Sequence, residues 1–148
     1  GTFEFEKFRQ DLGRAQTVLY LADNAGEIVC DRIFIEEFCE GRQVIFVVRD
    51  KPALNDALLE DALFCGIDKV ARVMSSGVDS PGTVLNYCSN EFLEIFREAD
   101  LVISKGQGNY EALTGSGRKI YFLFKVKCPV IAGHANAMLG DIVLKQWS

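Results

Sequence analysis

Asp23, Asn24 and Glu27 stand where an apolar run breaks off, in Val18-Leu-Tyr-Leu-Ala-Asp23-Asn24-Ala-Gly26-Glu27. Residues 28–38 behind them carry apolar side chains at helical spacing, so the stretch reads as buried strand, tight polar loop and helix. In an open parallel sheet, ligands bind outside the carboxyl ends of the strands. Asp23 and Asn24 fall at that edge. A carboxylate beside an amide oxygen suits a hard divalent cation, which takes oxygen ligands. The competing reading is that Asp23 or Asn24 caps the helix.

Three further apolar runs end in polar loops. The second offers Arg49, Asn55 and Asp56; the third Ser75, Ser76, Gly77, Asp79 and Thr83; the fourth Lys105, Gly106 and Asn109. Acids and amides beside a lysine and two Gly/Ser loops form an inventory for metal-assisted phosphate chemistry. Carboxylates hold a cation, the cation bridges to phosphate oxygens, and lysine and backbone N–H groups take the remaining charge. Taken singly, each has a plainer reading. Asp56 can cap a helix, Lys105 can be a solvated loop lysine, and Gly106-Gln-Gly108 can be turn chemistry. Asp79 before Ser-Pro-Gly reads as a turn residue. The case is joint: four successive strand ends turn polar where the fold rule places ligands.

The elements that must position these residues follow from pattern. A short helix is predicted over 3–12, ending at Gly13. Strands are predicted over 17–22, 43–48, 69–74 and 100–104. Further strand candidates are 119–124, 128–132 and an edge strand at 140–144. Helices are predicted over 27–40, with Gly41 as C-cap, over 56–65 and over 90–99, with helical turns near 84–87 and 110–113. Strand and helix alternate almost throughout. That implies right-handed βαβ units and an α/β fold: three layers, α/β/α, around a mostly parallel, Rossmann-like sheet.

The 148 residues suit one domain with a sizeable core over 1–148. Net charge is −5 and pI about 4.9, which argues against nucleic acid as a partner. No stretch is long and apolar enough for a membrane span. Five cysteines are scattered through apolar surroundings without a CxxC pair. They read as reduced thiols of a cytoplasmic protein. A nucleophilic cysteine needs a histidine partner, and the one histidine, His134, lies among small residues as a structural, backbone-bonded side chain. Trp147 reads as an edge-packing residue. Oligomeric state is not legible in the sequence.

Three motifs carry a resemblance. Leu21-Ala-Asp23-Asn24-Ala-Gly26-Glu27-Ile-Val, Lys51-Pro-Ala-Leu-Asn55-Asp56-Ala and Ser104-Lys105-Gly106-Gln107-Gly108-Asn109-Tyr110-Glu resemble the metal-dependent damage-control phosphatase family, formerly a domain of unknown function. Gly77-Val-Asp79-Ser-Pro-Gly82-Thr83 fits its small prokaryotic branch. The resemblance runs in order along nearly the whole chain. It implies a three-layer α/β/α fold and one divalent metal ion (Mg, Mn, Co or Ni) on Asp23, Asn24 and Asp56. It also implies that Lys105 meets the substrate phosphate.

Family members hydrolyse phosphate esters of small metabolites, including damaged sugar phosphates. A eukaryotic branch has been described as a protein carboxyl methyltransferase, but no glycine-rich methyl-donor loop follows the first strand here. Members usually carry a helical region upstream of the first motif, so the resemblance implies that this chain is the C-terminal part of a longer one. The resulting expectation is a metal-dependent phosphatase with a small phosphorylated metabolite as partner. Lys105 is the catalytic cation, and Asp79 or Glu27 orients water. Gly106, Ser75, Ser76, Gly77 and Asn109 join Lys105 around the phosphate. The rival is a non-catalytic module that binds a nucleotide or sugar phosphate through the same loops.

Overall fold

A computed structural model describes residues 2–148. Six strands, β1 (Thr17–Leu21), β2 (Gln43–Val48), β3 (Arg72–Ser75), β4 (Leu101–Lys105), β5 (Ile120–Lys125) and β6 (Ile142–Trp147), form one sheet in the order β3-β2-β1-β4-β5-β6. All pairings are parallel except β5 with β6. The chain runs outward from β1 through β2 to β3, then returns to place β4 on the other flank of β1. This reversal opens a crevice between the loops after β1 and β4, the position where such sheets bind ligands.

The strands are apolar on both faces, as buried parallel strands must be. Alternate residues serve opposite layers. Val18 and Tyr20 of β1 join Phe8, Ile35 and Phe46 on one face, under α1 (Phe5–Arg14), α2 (Ile28–Phe38) and α3 (Leu59–Phe64). Leu19 and Leu21 join Phe92, Tyr110 and Phe122 on the other, under α4 (Asn90–Glu98), α5 (Gln107–Leu113) and α6 (Pro129–Ala135). Tyr20 stacks on Phe46 at 5.4 Å between ring centres, and Tyr110 on Phe124 at 4.5 Å. The expected three-layer α/β/α architecture is thereby realised. Among the described residues no helix is long and apolar enough to cross a membrane.

Several boundaries differ from expectation. The run 128–132 is not a strand. Pro129 occupies the start of α6, where its missing N–H and fixed φ favour a helix, and the helix ends at Asn136 in the left-handed region. The helix expected over 56–65 shrinks to α3, because residues 53–57 are held at the sheet edge instead. The fourth strand extends through Lys105, and α5 begins two residues later. His134 bonds the Tyr110 hydroxyl (2.6 Å) rather than the backbone. Trp147, in the edge strand, packs against Tyr110.

Helix α4 carries a side-chain cap: Ser89 Oγ accepts from Phe92 N at 3.2 Å. Removing such a cap costs about 1 kcal/mol. Ser89→Ala should therefore lower the thermal midpoint by about 2–4 °C, the usual effect for a chain of this size. Scanning calorimetry of the two proteins checks this, and coincident midpoints would deny the cap any weight.

Candidate active site

The loops after β1 and β2 are sewn together by their backbones. Ala57 N donates to Asp23 O at 2.8 Å and Ala25 N to Asn55 O at 2.9 Å, forming a bridge between Asn24 and Asp56. Leu54 makes the turn with φ +53°, a conformation rare for a branched residue. The result sets Asp23, Asn24 and Asp56 side by side. Neither Asn24 nor Asp56 is spent on capping. Asn24 makes no side-chain cap bond, and the N–H of Leu58 at the start of α3 is taken by Asp61 at 2.9 Å.

Arg49, at the end of β2 and only 4% exposed, ties this corner to the rest of the edge. Its Nε donates to Asp56 Oδ2 (3.0 Å), Nη1 to Thr83 Oγ1 (2.8 Å) and Nη2 to Asn109 Oδ1 (3.0 Å). Asn109 Nδ2 in turn donates to the carbonyls of Ala22 (3.3 Å) and Lys105 (2.8 Å). Loops after β1, β2, β3 and β4 thus share one buried network.

Gly106 lies against Asp23. A Cβ on Gly106 would fall 2.2 Å from the Asp23 carboxylate, and its φ is +86°. Only glycine lets the acid sit there. Beside it, Lys105 Nζ donates to Glu27 Oε2 at 2.7 Å and Asp31 Oδ1 at 2.9 Å. A cleft of about 400 Å³ opens over these groups, lined by Asp23, Glu27, Lys105, Gly106, Gln107 and Lys127 among others.

The electrostatics follow from placement. Burial, then the neighbouring Asp56 and Glu27, push the Asp23 carboxyl up to about 6, against the pull of Lys127 and Arg49. Burial alone would raise Glu27, but the bond and charge of Lys105 outweigh it and hold the carboxyl low. Desolvation works against the Lys105 ammonium, yet Asp31 and Glu27 prevail and keep it above the ordinary lysine range. Burial pushes the Cys39 and Cys88 thiols up to about 11, so neither is poised as a nucleophile.

Four carboxylates (Asp23, Glu27, Asp31 and Asp56) meet two cations bonded to them, Arg49 and Lys105. Lys127 also lines the cleft and pulls on Asp23, and the net charge of these side chains stays negative, the sign that suits a bound cation. Among the described residues no three His, Cys, Asp or Glu side chains converge on one point. The set that could hold a metal is two carboxylates and an amide: Asp23, Asn24 and Asp56, all oxygen donors suited to Mg or Mn. Arg49 occupies Asp56 Oδ2, which leaves Oδ1 as the free oxygen of that carboxylate.

The structure does not bring every expected residue into the cleft. Ser75 Oγ accepts from Gly77 N and donates to Asp50; Ser76 is buried and accepts from Val78 N. Gly77 packs on Ser89. These groups satisfy their own loop, on a strand at the sheet's margin. Asp79 is exposed, with no side-chain bond to the cluster. Asn109 is wholly buried as a tie between loops, and Gly106 N is taken by Leu123 O. Sequence reasoning missed Asp31, Tyr20 and Lys127. Asp31 was detectable: an acid four residues after Glu27 on a helix shares its face.

Residues 2–143 match the family model of the damage-control phosphatase ARMT1-like domain. The chain belongs to this family. It is 46% identical over 132 residues to an uncharacterized protein of Methanocaldococcus jannaschii, covering 86% of this chain and 43% of that one. It is 38% identical over 137 residues to a damage-control phosphatase of Pyrococcus horikoshii, covering 90% of this chain and 48% of that one. The crystal structure of a DUF89 family protein from Pyrococcus horikoshii superposes with a TM-score of 0.94 at 35% identity, over 98% of this chain and 52% of that one. The chain spans about half the length of the relatives it matches.

The raised Asp23 carboxyl has a signed consequence. A carboxyl whose folded pKa exceeds its unfolded value of about 4 makes ionisation cost stability, so its contribution declines as pH rises from about 4 to about 6. Asp23→Asn should flatten that part of the melting temperature against pH curve, measured with chelator present. Parallel curves for the two proteins would show that Asp23 is not perturbed.

Proposed function

We propose that this chain forms the α/β part of a metal-dependent phosphatase that hydrolyses phosphate esters of small metabolites, sugar phosphates among them. The observation that carries the reading is the closeness, on the two sides of the β1 strand end, of an incompletely compensated Asp23 beside the Arg49-bound Asp56 and of a charged lysine paired with two acids. The acids would hold a cation, and the lysine would supply positive charge to a substrate phosphate. Family membership and damage-control phosphatase relatives support a phosphatase role.

Asp23, Asn24 and Asp56 would hold the metal, with Arg49 fixing the Asp56 carboxylate from behind. A bound divalent cation supplies Lewis-acid polarisation of the phosphoryl oxygens. Lys105 offsets charge on the transferring group as the ester bond breaks. Glu27 sits on the cleft with a side chain 41% exposed and would orient the attacking water. Asp79 lies outside this arrangement.

Two measurements test the reading on the full-length protein. Asp23→Ala and Asp56→Ala should each abolish tight binding of Mg²⁺ or Mn²⁺ in calorimetric titration while the fold persists; unchanged affinity in both would remove the metal site. Phosphate release from a panel of sugar phosphates should stop on chelation. Lys105→Ala should lower kcat by roughly two to three orders of magnitude, more than it raises KM. Turnover indifferent to chelator would defeat the metal mechanism, and ligand binding without turnover would favour a non-catalytic phosphate-binding module.

A further inference from the structure

We propose that Asp31, backed by Tyr20, is a positioning residue that fixes Lys105 at the crevice, whereas Glu27 is the exchangeable partner that substrate phosphate displaces. The inference rests on the phosphatase reading for its chemistry and on the geometry of α2 and β1 for its assignment.

Lys105 is held between two acids of opposite character. Asp31 is 2% exposed, while the Glu27 side chain is 41% exposed. An ammonium has three N–H donors, and Glu27 and Asp31 account for two. The third is open to a further acceptor, from which an incoming phosphate oxygen can begin to replace Glu27. Asp31 cannot move away with it. The Tyr20 hydroxyl donates to the same Oδ1 at 2.6 Å, and Tyr20 is itself locked in the sheet against Phe46. Asp31 Oδ2 is buried without a partner. The carboxylate borders a mostly apolar cavity of about 280 Å³ walled by Phe8, Phe34 and Ile103. A buried carboxylate with one strong cationic partner holds that partner firmly. Glu27 bonds Asn24 and Lys105 from the open side. A phosphate oxygen can take its place on Lys105, and the freed carboxylate then faces the water it must orient.

Nothing in a phosphatase mechanism requires Asp31 itself to touch substrate. Its action passes through the lysine, so the test must separate positioning from mere support of the fold. Asp31→Asn keeps the shape and an acceptor but removes the charge; Tyr20→Phe removes only the clamp on Asp31. The experiment uses the full-length, Mn²⁺-loaded protein with a sugar phosphate it hydrolyses, and in parallel the ¹⁵Nζ signal of Lys105 in the metal-free protein.

Asp31→Asn should lower kcat about tenfold or more with KM within about threefold, and should move the Lys105 titration to lower pH by NMR. Tyr20→Phe should do the same to a smaller degree. Values of kcat and a Lys105 signal unchanged in both variants would overturn the proposal. So would a loss of rate that tracks only the unfolded fraction while the Lys105 signal of the folded molecules stays put. Should Asp31→Asn fail to fold, Tyr20→Phe decides by the same criteria. If the wild-type protein hydrolyses no phosphate ester, the phosphatase reading falls by itself, and the Lys105 signal in the variants still decides the role of Asp31.

Discussion

One buried guanidinium organises the loops at the carboxyl edge of the sheet. Arg49 has side-chain partners on two loops and in the first turn of α5, and through Asn109 it reaches the backbone of two more strand ends. Removing one partner of a buried, hydrogen-bonded ion pair usually costs about 3–5 kcal/mol, because the other charge stays behind unpaired. Here the loss would spread further, since Thr83 and Asn109 would each lose a charged donor and keep only their bonds to each other and to the backbone. Arg49 also sets which Asp56 oxygen faces outward. The geometry of the acid pair is thus decided from behind, by a residue that never enters the cleft.

The edge divides its charge between two arrangements. On the β1–β2 side, Asp23 and Asp56 crowd together with incomplete compensation, and the raised Asp23 carboxyl registers that crowding. On the β1–β4 side, Lys105 is over-compensated by two acids. Gly106 is where the two meet, and its missing side chain sets their spacing. A single larger residue at this position would separate them. The glycine is a geometric requirement of the site rather than a feature of the turn alone.

Much of this was legible in the residues. Continuous apolar runs such as Gln43-Val-Ile-Phe-Val-Val48 admit few readings besides a buried parallel strand, and their abrupt polar ends mark the carboxyl edge of the sheet. Asp23, Asn24, Asp56, Glu27 and Lys105 came into view that way. Pro129-Val-Ile-Ala did not read correctly because a short β-branched run is shared by strands and buried helices, and the proline that decides the matter was outweighed. The Ser75–Gly77 loop looked like a phosphate cradle because polar side chains at a strand end have two uses, and periodicity cannot tell a ligand contact from a loop bonding to itself. Asp31 hid inside a helix, where an acid is expected to face solvent. Its burial depends on Tyr20, 11 positions away on the preceding strand, and on Lys105, 74 positions away.

The strand order carries a consequence of its own. Glu27 and Lys105 are 78 positions apart in the chain, and Ala22 and Asn109 are 87 apart. The crevice exists only when the wing built from β1, β2 and β3 has docked on the wing built from β4, β5 and β6. Whatever binds across it recognises the finished fold and no intermediate, so its binding energy is added to the cooperativity of the entire chain. An occupied crevice therefore acts as a clasp on the whole sheet, slowing its opening to proteases and partial unfolding alike.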